Sequence, residues 1–133
     1  MKLFIRILVI LFFLFSCKDS IVGSDSCSEA DIELWGECYN IEETITLDLS
    51  NLNIPGEIPI EVWQLTNLNY LYLNGNQFNG EIPPEILNLI NLIGLYLQEN
   101  QLSGEIPEEI SNLTDLTDLD LSDNELSGEL PTE

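Results

Sequence analysis

From residue 44 onward the chain returns to one pattern every 24 positions, and that period leaves little choice of fold. Glycine recurs at Gly56, Gly80, Gly104 and Gly128, and three residues later comes Pro59, Pro83, Pro107 or Pro131. Each proline follows Ile58, Ile82, Ile106 or Leu130. Leucine pairs stand at Leu47/Leu49, Leu71/Leu73, Leu95/Leu97 and Leu119/Leu121, with an asparagine after the last three at Asn76, Asn100 and Asn124. A fixed period of this length, in four copies, specifies a solenoid. One copy cannot bury its apolar residues alone; stacking against its neighbours does so.

The logic is legible within the unit from Thr66 to Leu89. Leu71 and Leu73 alternate with Tyr70, Tyr72 and Asn74, the period of a strand with one buried face. Leu65 and Leu68 lead into it, and Phe78, Ile82, Ile86 and Leu89 continue the inward set. Gly80 suits a turn or close backbone approach that a side chain would obstruct. Ile82-Pro83-Pro84 resists both helix and central strand, because proline lacks an N–H and restricts the residue before it. Asn76, with an amide that both donates and accepts, is placed to bond backbone groups of the adjacent turn.

The consensus LxxLxxLxLxxNxLxGxIP, read here as LTNLNYLYLNGNQFNGEIP from Leu65 and LINLIGLYLQENQLSGEIP from Leu89, resembles the leucine-rich repeat in its 24-residue plant-type class. The resemblance covers residues 44–133. It implies an α/β repeat solenoid, a short right-handed stack of about four coils over residues 45–133, with a parallel β-sheet on the concave side and protein or peptide binding there. Leu52 stands where the first unit should carry its asparagine, so the ladder is expected to begin one coil later. Residues 27–44, with Cys27, Trp35 and Cys38, resemble the cysteine-and-tryptophan N-terminal cap of such proteins. That implies a Cys27–Cys38 disulfide, worth about 3 kcal/mol by the chain-entropy estimate, with Ile32, Leu34 and Trp35 covering the first core layer. The other reading of the cysteines, as metal thiolates, lacks further cysteines or any histidine to complete a site.

Residues 1–16 read as an export signal: Lys2 and Arg6 precede the apolar run Ile7 to Phe15, which is too short for the roughly 20 residues of a spanning helix. Leu14-Phe15-Ser16-Cys17 resembles the bacterial lipobox, which implies lipid on Cys17 and a short polar tether over residues 17–26. Membrane anchoring at a bacterial cell surface or outer membrane follows as an expectation, with plain secretion as its alternative.

Composition narrows the function. Three Lys/Arg stand against 24 Asp/Glu, a formal charge of −21, and there is no histidine. Nucleic acid is excluded as a partner, since it requires basic groups. The commonest general base and metal ligand is missing. No catalytic set, cofactor site or metal site is expected. Asp48 and Asp120 lie on strands one and four, about 14 Å apart at ~4.8 Å per strand, too far for paired-carboxylate chemistry. Asp118, Asp120 and Asp123 lack the loop glycine and final glutamate of a calcium loop. Asn112-Leu113-Thr114 has the form of a glycosylation sequon, but the string also arises from the repeat consensus.

What remains is a binding surface. Alternation turns Thr46, Asp48 and Ser50 outward, then Tyr70, Tyr72 and Asn74, then Gly94, Tyr96 and Gln98, then Asp118, Asp120 and Ser122. The ligand-binding set expected on the concave face is Tyr70, Tyr72, Asn74, Tyr96, Gln98, Asp118 and Asp120. Tyr72 and Tyr96 should neighbour each other in register, and Gly94 should leave a shallow recess beside them. The leading expectation is an exported module that binds protein, peptide or glycan there. The alternatives are a structural unit with weak self-association through an open C-terminal coil, and a fragment of a longer receptor-like array.

Overall fold

The computed structural model describes residues 27–128; the expectations for Cys17, the export signal and the tether, and for residues 129–133, lie outside them. Strands β1 (Asp31–Leu34) and β2 (Glu37–Asn40) form an antiparallel hairpin. Trp35 and Gly36 turn it, both with positive φ (50° and 86°), as a type I′ hairpin turn requires. The Cys27–Cys38 disulfide joins the chain ahead of β1 to β2 across a Cα separation of 5.6 Å, as the cap resemblance implied. Asp31 fixes the same hairpin, accepting hydrogen bonds from Ser28 Oγ (2.7 Å) and Asn40 Nδ2 (2.9 Å).

Then the solenoid begins. β3 (Thr46–Asp48), β5 (Tyr70–Tyr72), β7 (Gly94–Tyr96) and β9 (Asp118–Asp120) pair in that order as one parallel sheet, each step advancing the chain by 24 residues. The alternation is realised. Leu47, Leu71 and Leu95 point into the core, and Leu49, Leu73 and Leu97 follow them there.

A second parallel sheet, which the periodicity had suggested only as a turn, forms from the segment around each recurring glycine. Its strands are β4 (Pro55–Glu57), β6 (Gln77–Glu81), β8 (Gln101–Glu105) and β10 (Glu125–Ser127), paired in chain order. Gly104 shows why the glycine recurs. Its φ is +81°, and a Cβ there would sit 2.8 Å from Cγ of Glu81 on the adjacent strand.

The connections back to the first sheet are single 3-10 turns: η1 (Ile60–Gln64), η2 (Pro84–Asn88) and η3 (Glu108–Asn112). The expectation that Pro83-Pro84 resists helix therefore needs correction. Pro84 opens η2 at its first position, where the missing N–H has no partner to lose. Among the described residues the elements are strands and 3-10 turns, so this part of the solenoid is built without an α-helix.

The core is one continuous column of Leu, Ile, Val, Phe and Trp. Asn76 and Asn100 are buried within it and fully bonded. Asn76 Nδ2 donates to the carbonyls of Leu49 (2.8 Å) and Leu73 (2.9 Å), while its Oδ1 accepts from the N–H groups of Leu52 and Ile54. The ladder thus starts one coil late, as the leucine at position 52 implied. Ile32 and Leu34 close the first layer from the cap side, and Trp35 packs on Phe78 with ring centroids 5.6 Å apart. Trp63 joins them in the core beneath β1, a role its sequence position did not announce, since Leu87 and Ser111 at equivalent positions are exposed.

Candidate functional site

The outward face of the first sheet is a grid, its columns set by the strands and its rows by the register. One row reads Asp48, Tyr72, Tyr96, Asp120. The row beside it reads Thr46, Tyr70, Gly94, Asp118. Backbone bonds carry the ladder past the strand ends into a third row, Ser50, Asn74, Gln98, Ser122: the N–H of Asn51 donates to Asn74 O, that of Gly75 to Gln98 O, and that of Glu99 to Ser122 O. All seven residues expected at the site share this surface. The sequence set omitted Asp48, which shares a row with Asp120 and was readable from the same alternation.

Tyrosines dominate the middle. The Tyr72 and Tyr96 rings stack with centroids 4.7 Å apart and planes 7° from parallel. Tyr70 lies nearly parallel to Tyr72 at 6.2 Å and 11°. The recess expected at Gly94 does not exist. Gly94 is buried, because the Tyr70 and Tyr96 rings close over it; a Cβ there would stand 2.8 Å from Tyr70 Cδ1 and 2.9 Å from Tyr96 Cε2. Glycine opens space that the neighbouring aromatic rings then fill. Its role is to let three rings pack on one small patch, leaving a platform in place of a pocket.

Carboxylates bracket the platform. Asp48 stands one strand from Tyr72, and Asp120 one strand from Tyr96. Each accepts from a serine two residues on: Ser50 Oγ at 2.7 Å from Asp48 Oδ1, and Ser122 Oγ at 2.6 Å from Asp120 Oδ1. The Ser122 hydroxyl, followed by its backbone N–H at 3.1 Å, holds the Asp120 carboxyl below the ordinary carboxylate range against a smaller opposing effect of burial. Burial raises the Tyr96 phenol, with Asp118 the next cause and Tyr72, Tyr70 and Asp120 adding to it. Both groups are held in their ordinary charge states near neutrality, an anionic carboxylate beside a neutral phenol. Gln98 adds a polar oddity: its Oε1 is buried and accepts no hydrogen bond among the described residues.

Three comparisons bear on what this surface belongs to. The leucine-rich repeat model matches residues 67–89, 91–113 and 115–133. A search of curated proteins finds no match. Solved structures do match. The chain is 48% identical to the plant peptide hormone receptor RGFR1, solved in complex with RGF2, at a TM-score of 0.63 over 65% of this chain and 14% of that one. It is 50% identical to the Arabidopsis receptor kinase HAESA, solved with the peptide hormone IDA and the co-receptor SERK1, at 0.60 over 64% and 14%. It is 36% identical to a plant ice-binding protein, at 0.60 over 62% and 27%. The match thus spans about a seventh of the length of each of these two receptors. The bacterial lipoprotein expectation drawn from Leu14 to Cys17 gains no support from these neighbours, which are plant proteins. Repeat, register and neighbours agree on one statement: the chain is a leucine-rich-repeat solenoid of the kind found in plant receptor ectodomains.

Proposed function

We propose that this protein is a peptide-binding module working through the outward face of the first sheet, as a receptor-like array and not as an enzyme. The observation that carries the reading is the Tyr70–Tyr72–Tyr96 platform. Rigid, half-exposed tyrosines offer large contact area at low entropic cost, the property that makes them binding anchors. The receptors it resembles were solved with peptide hormones, which supports the same class of ligand. A shared fold alone does not choose a function, and the ice-binding neighbour makes that concrete. Size also bears on the reading. Four strands at ~4.8 Å, with three outward residues on each, give a few hundred Å² against about 800 Å² per partner in a standard interface. One such module binds weakly, and avidity or additional coils supply the rest.

The test is peptide display panned on wild type and on the Tyr72→Ala/Tyr96→Ala variant. Sequences enriched on the first and lost on the second support the reading. Equal enrichment on both removes the platform from the site. Inhibition of ice recrystallisation without peptide capture favours the ice-binding alternative.

Export with lipid on Cys17 is a separate part of the proposal, resting on residues 1–17 alone. Two or more acyl chains hold a protein stably on a membrane. Cys17→Ser is expected to release the protein or leave its precursor uncleaved. Unchanged membrane partitioning refutes the anchor and leaves the binding reading intact.

A further inference from the structure

The described residues contain twenty carboxylates and no lysine or arginine, so among them no carboxylate of the site has a cation as partner. Two ends of the tyrosine platform are acidic: Asp48 on β3, and Asp118 with Asp120 on β9. Three strand steps of ~4.8 Å place these ends about 14 Å apart. An extended peptide advances ~3.3–3.6 Å per residue, so four residues also cover about 14 Å. In an extended chain residues i, i+2 and i+4 share one face. A peptide lying across the strands therefore brings i over Asp48, i+2 onto the Tyr72/Tyr96 stack and i+4 over Asp118 and Asp120.

We infer, building on the peptide-binding reading above, that this face selects an extended basic peptide with cationic side chains at i and i+4 and an apolar one between them. Arginine suits the ends better than lysine. Its planar guanidinium pairs with a carboxylate through two N–H groups and also lies over a tyrosine face. Asp48 and Asp120 stand in register beside the two rings of the Tyr72/Tyr96 stack, so a carboxylate neighbours a ring at each end. Bulk negative charge speeds the approach of any cation but does not read spacing. Spacing is what the Asp48–Asp120 row adds.

The experiment uses the full-length protein and labelled peptides whose two arginines stand four residues apart around a central leucine. Controls place the arginines three apart, replace them with glutamine, or replace them with lysine. Binding is read by fluorescence anisotropy at about 0.05 M and 0.5 M salt. The four-residue spacing is expected to bind about tenfold tighter than the three-residue spacing, with lysine weaker and high salt weakening both. Asp48→Asn and Asp120→Asn, which keep the serine-accepting oxygen, should each cost about threefold. Glu57→Gln/Glu81→Gln/Glu105→Gln on the second sheet removes more charge and should leave the spacing preference unchanged.

Each outcome decides something. If that triple variant abolishes the preference as fully as the aspartate changes do, the attraction is diffuse and the inference falls. If the glutamine peptide binds as well as the arginine one, and binding still needs Tyr72 and Tyr96, the inference falls while peptide binding stands. If no peptide binds but chitohexaose does, both fall and the platform reads sugars.

Discussion

Asn100 ties two coils together through a single amide: its Oδ1 accepts the N–H of Phe78 at 3.0 Å, twenty-two residues earlier in the chain, and its Nδ2 donates to Leu73 O and Leu97 O at 3.0 Å each. Both ends of the side chain are used, in a position 9% exposed. Asn100→Leu keeps the branched shape but orphans the buried N–H of Phe78, while Leu73 O and Leu97 O keep the bonds from Asn76 Nδ2 and Asn124 Nδ2. At about 1–3 kcal/mol for one unsatisfied buried donor, the variant should lose about 2 kcal/mol in urea denaturation. Asn124→Leu, in the half-buried last described coil, should lose about 1 kcal/mol. Equal losses would show that burial does not grade the ladder.

Gly94→Ala tests how the platform is built. The added methyl would stand 2.8 Å from Tyr70 Cδ1 and 2.9 Å from Tyr96 Cε2, so the rings must shift to admit it. Stability should fall by about 1–2 kcal/mol, and the near-ultraviolet circular dichroism of the stacked tyrosines should change clearly. An unaltered spectrum would mean the rings do not rest on Gly94.

Reduction of the Cys27–Cys38 bond, or the double serine variant, should lower stability by about 3 kcal/mol. The loss follows from freeing the hairpin that places Ile32 and Leu34 over the first core layer. Hydrogen exchange should rise first at Leu47 and Leu49 and last in the central coils. Uniform acceleration would contradict a local cap.

Charge sets two opposing trends. The twenty carboxylates of the described residues, with no lysine or arginine among them, repel one another, so Tm should rise as NaCl increases from about 0.02 to 0.5 M. Asp31 and Asp120 act in the other direction at low pH. Hydrogen bonds from Ser28 and Asn40 depress the first carboxyl, and Ser122 depresses the second. A depressed folded pKa contributes stability that is fully present above the unfolded value near 3.9 and is lost as pH falls through the folded value. Tm should therefore drop below about pH 4, and Asp31→Asn/Asp120→Asn should flatten that drop. An unflattened curve would assign the acid transition to other carboxylates.

Glu99 sits at φ 58°, in a conformation where Asn51 and Gly75 occupy the equivalent places in earlier coils. Glu99→Asn should stabilise by about 0.5–1 kcal/mol, since asparagine tolerates this region better and one repelling charge is removed. A loss of stability would indicate that the glutamate side chain is held by contacts worth more than the strain.

Much of this molecule is legible in its sequence because a repeat states the same rule four times. Leu71 and Leu73 fix which side of β5 is buried, and the period then places Tyr72 beside Tyr96 with no further information. What failed to show depends on contacts that no period encodes. The second sheet was hidden by its glycine and proline, which read as punctuation although Gly80 still pairs within the β6–β8 ladder. Trp63 is core in the turn η1 that packs against β1 of the cap, a contact no repeat position encodes. Gly94 read as a hole because the tilt of its aromatic neighbours is a packing outcome, and two rings close what one missing side chain opens.

Because each coil adds one strand in strict register, the row Asp48–Tyr72–Tyr96–Asp120 is a ruler whose length changes only in whole notches. Deleting residues 91–114 joins Ile90 to Asp115 without shifting the phase, and it sets Tyr72 directly beside Asp120. The acidic ends then stand about 10 Å apart, near the reach of three extended residues, where the two end side chains face opposite ways. Duplicating that coil moves the ends to about 19 Å apart at the same spacing per strand. Gene slippage by one unit in such an array would thus alternately break and restore a spacing code, making copy number itself a heritable switch of ligand choice.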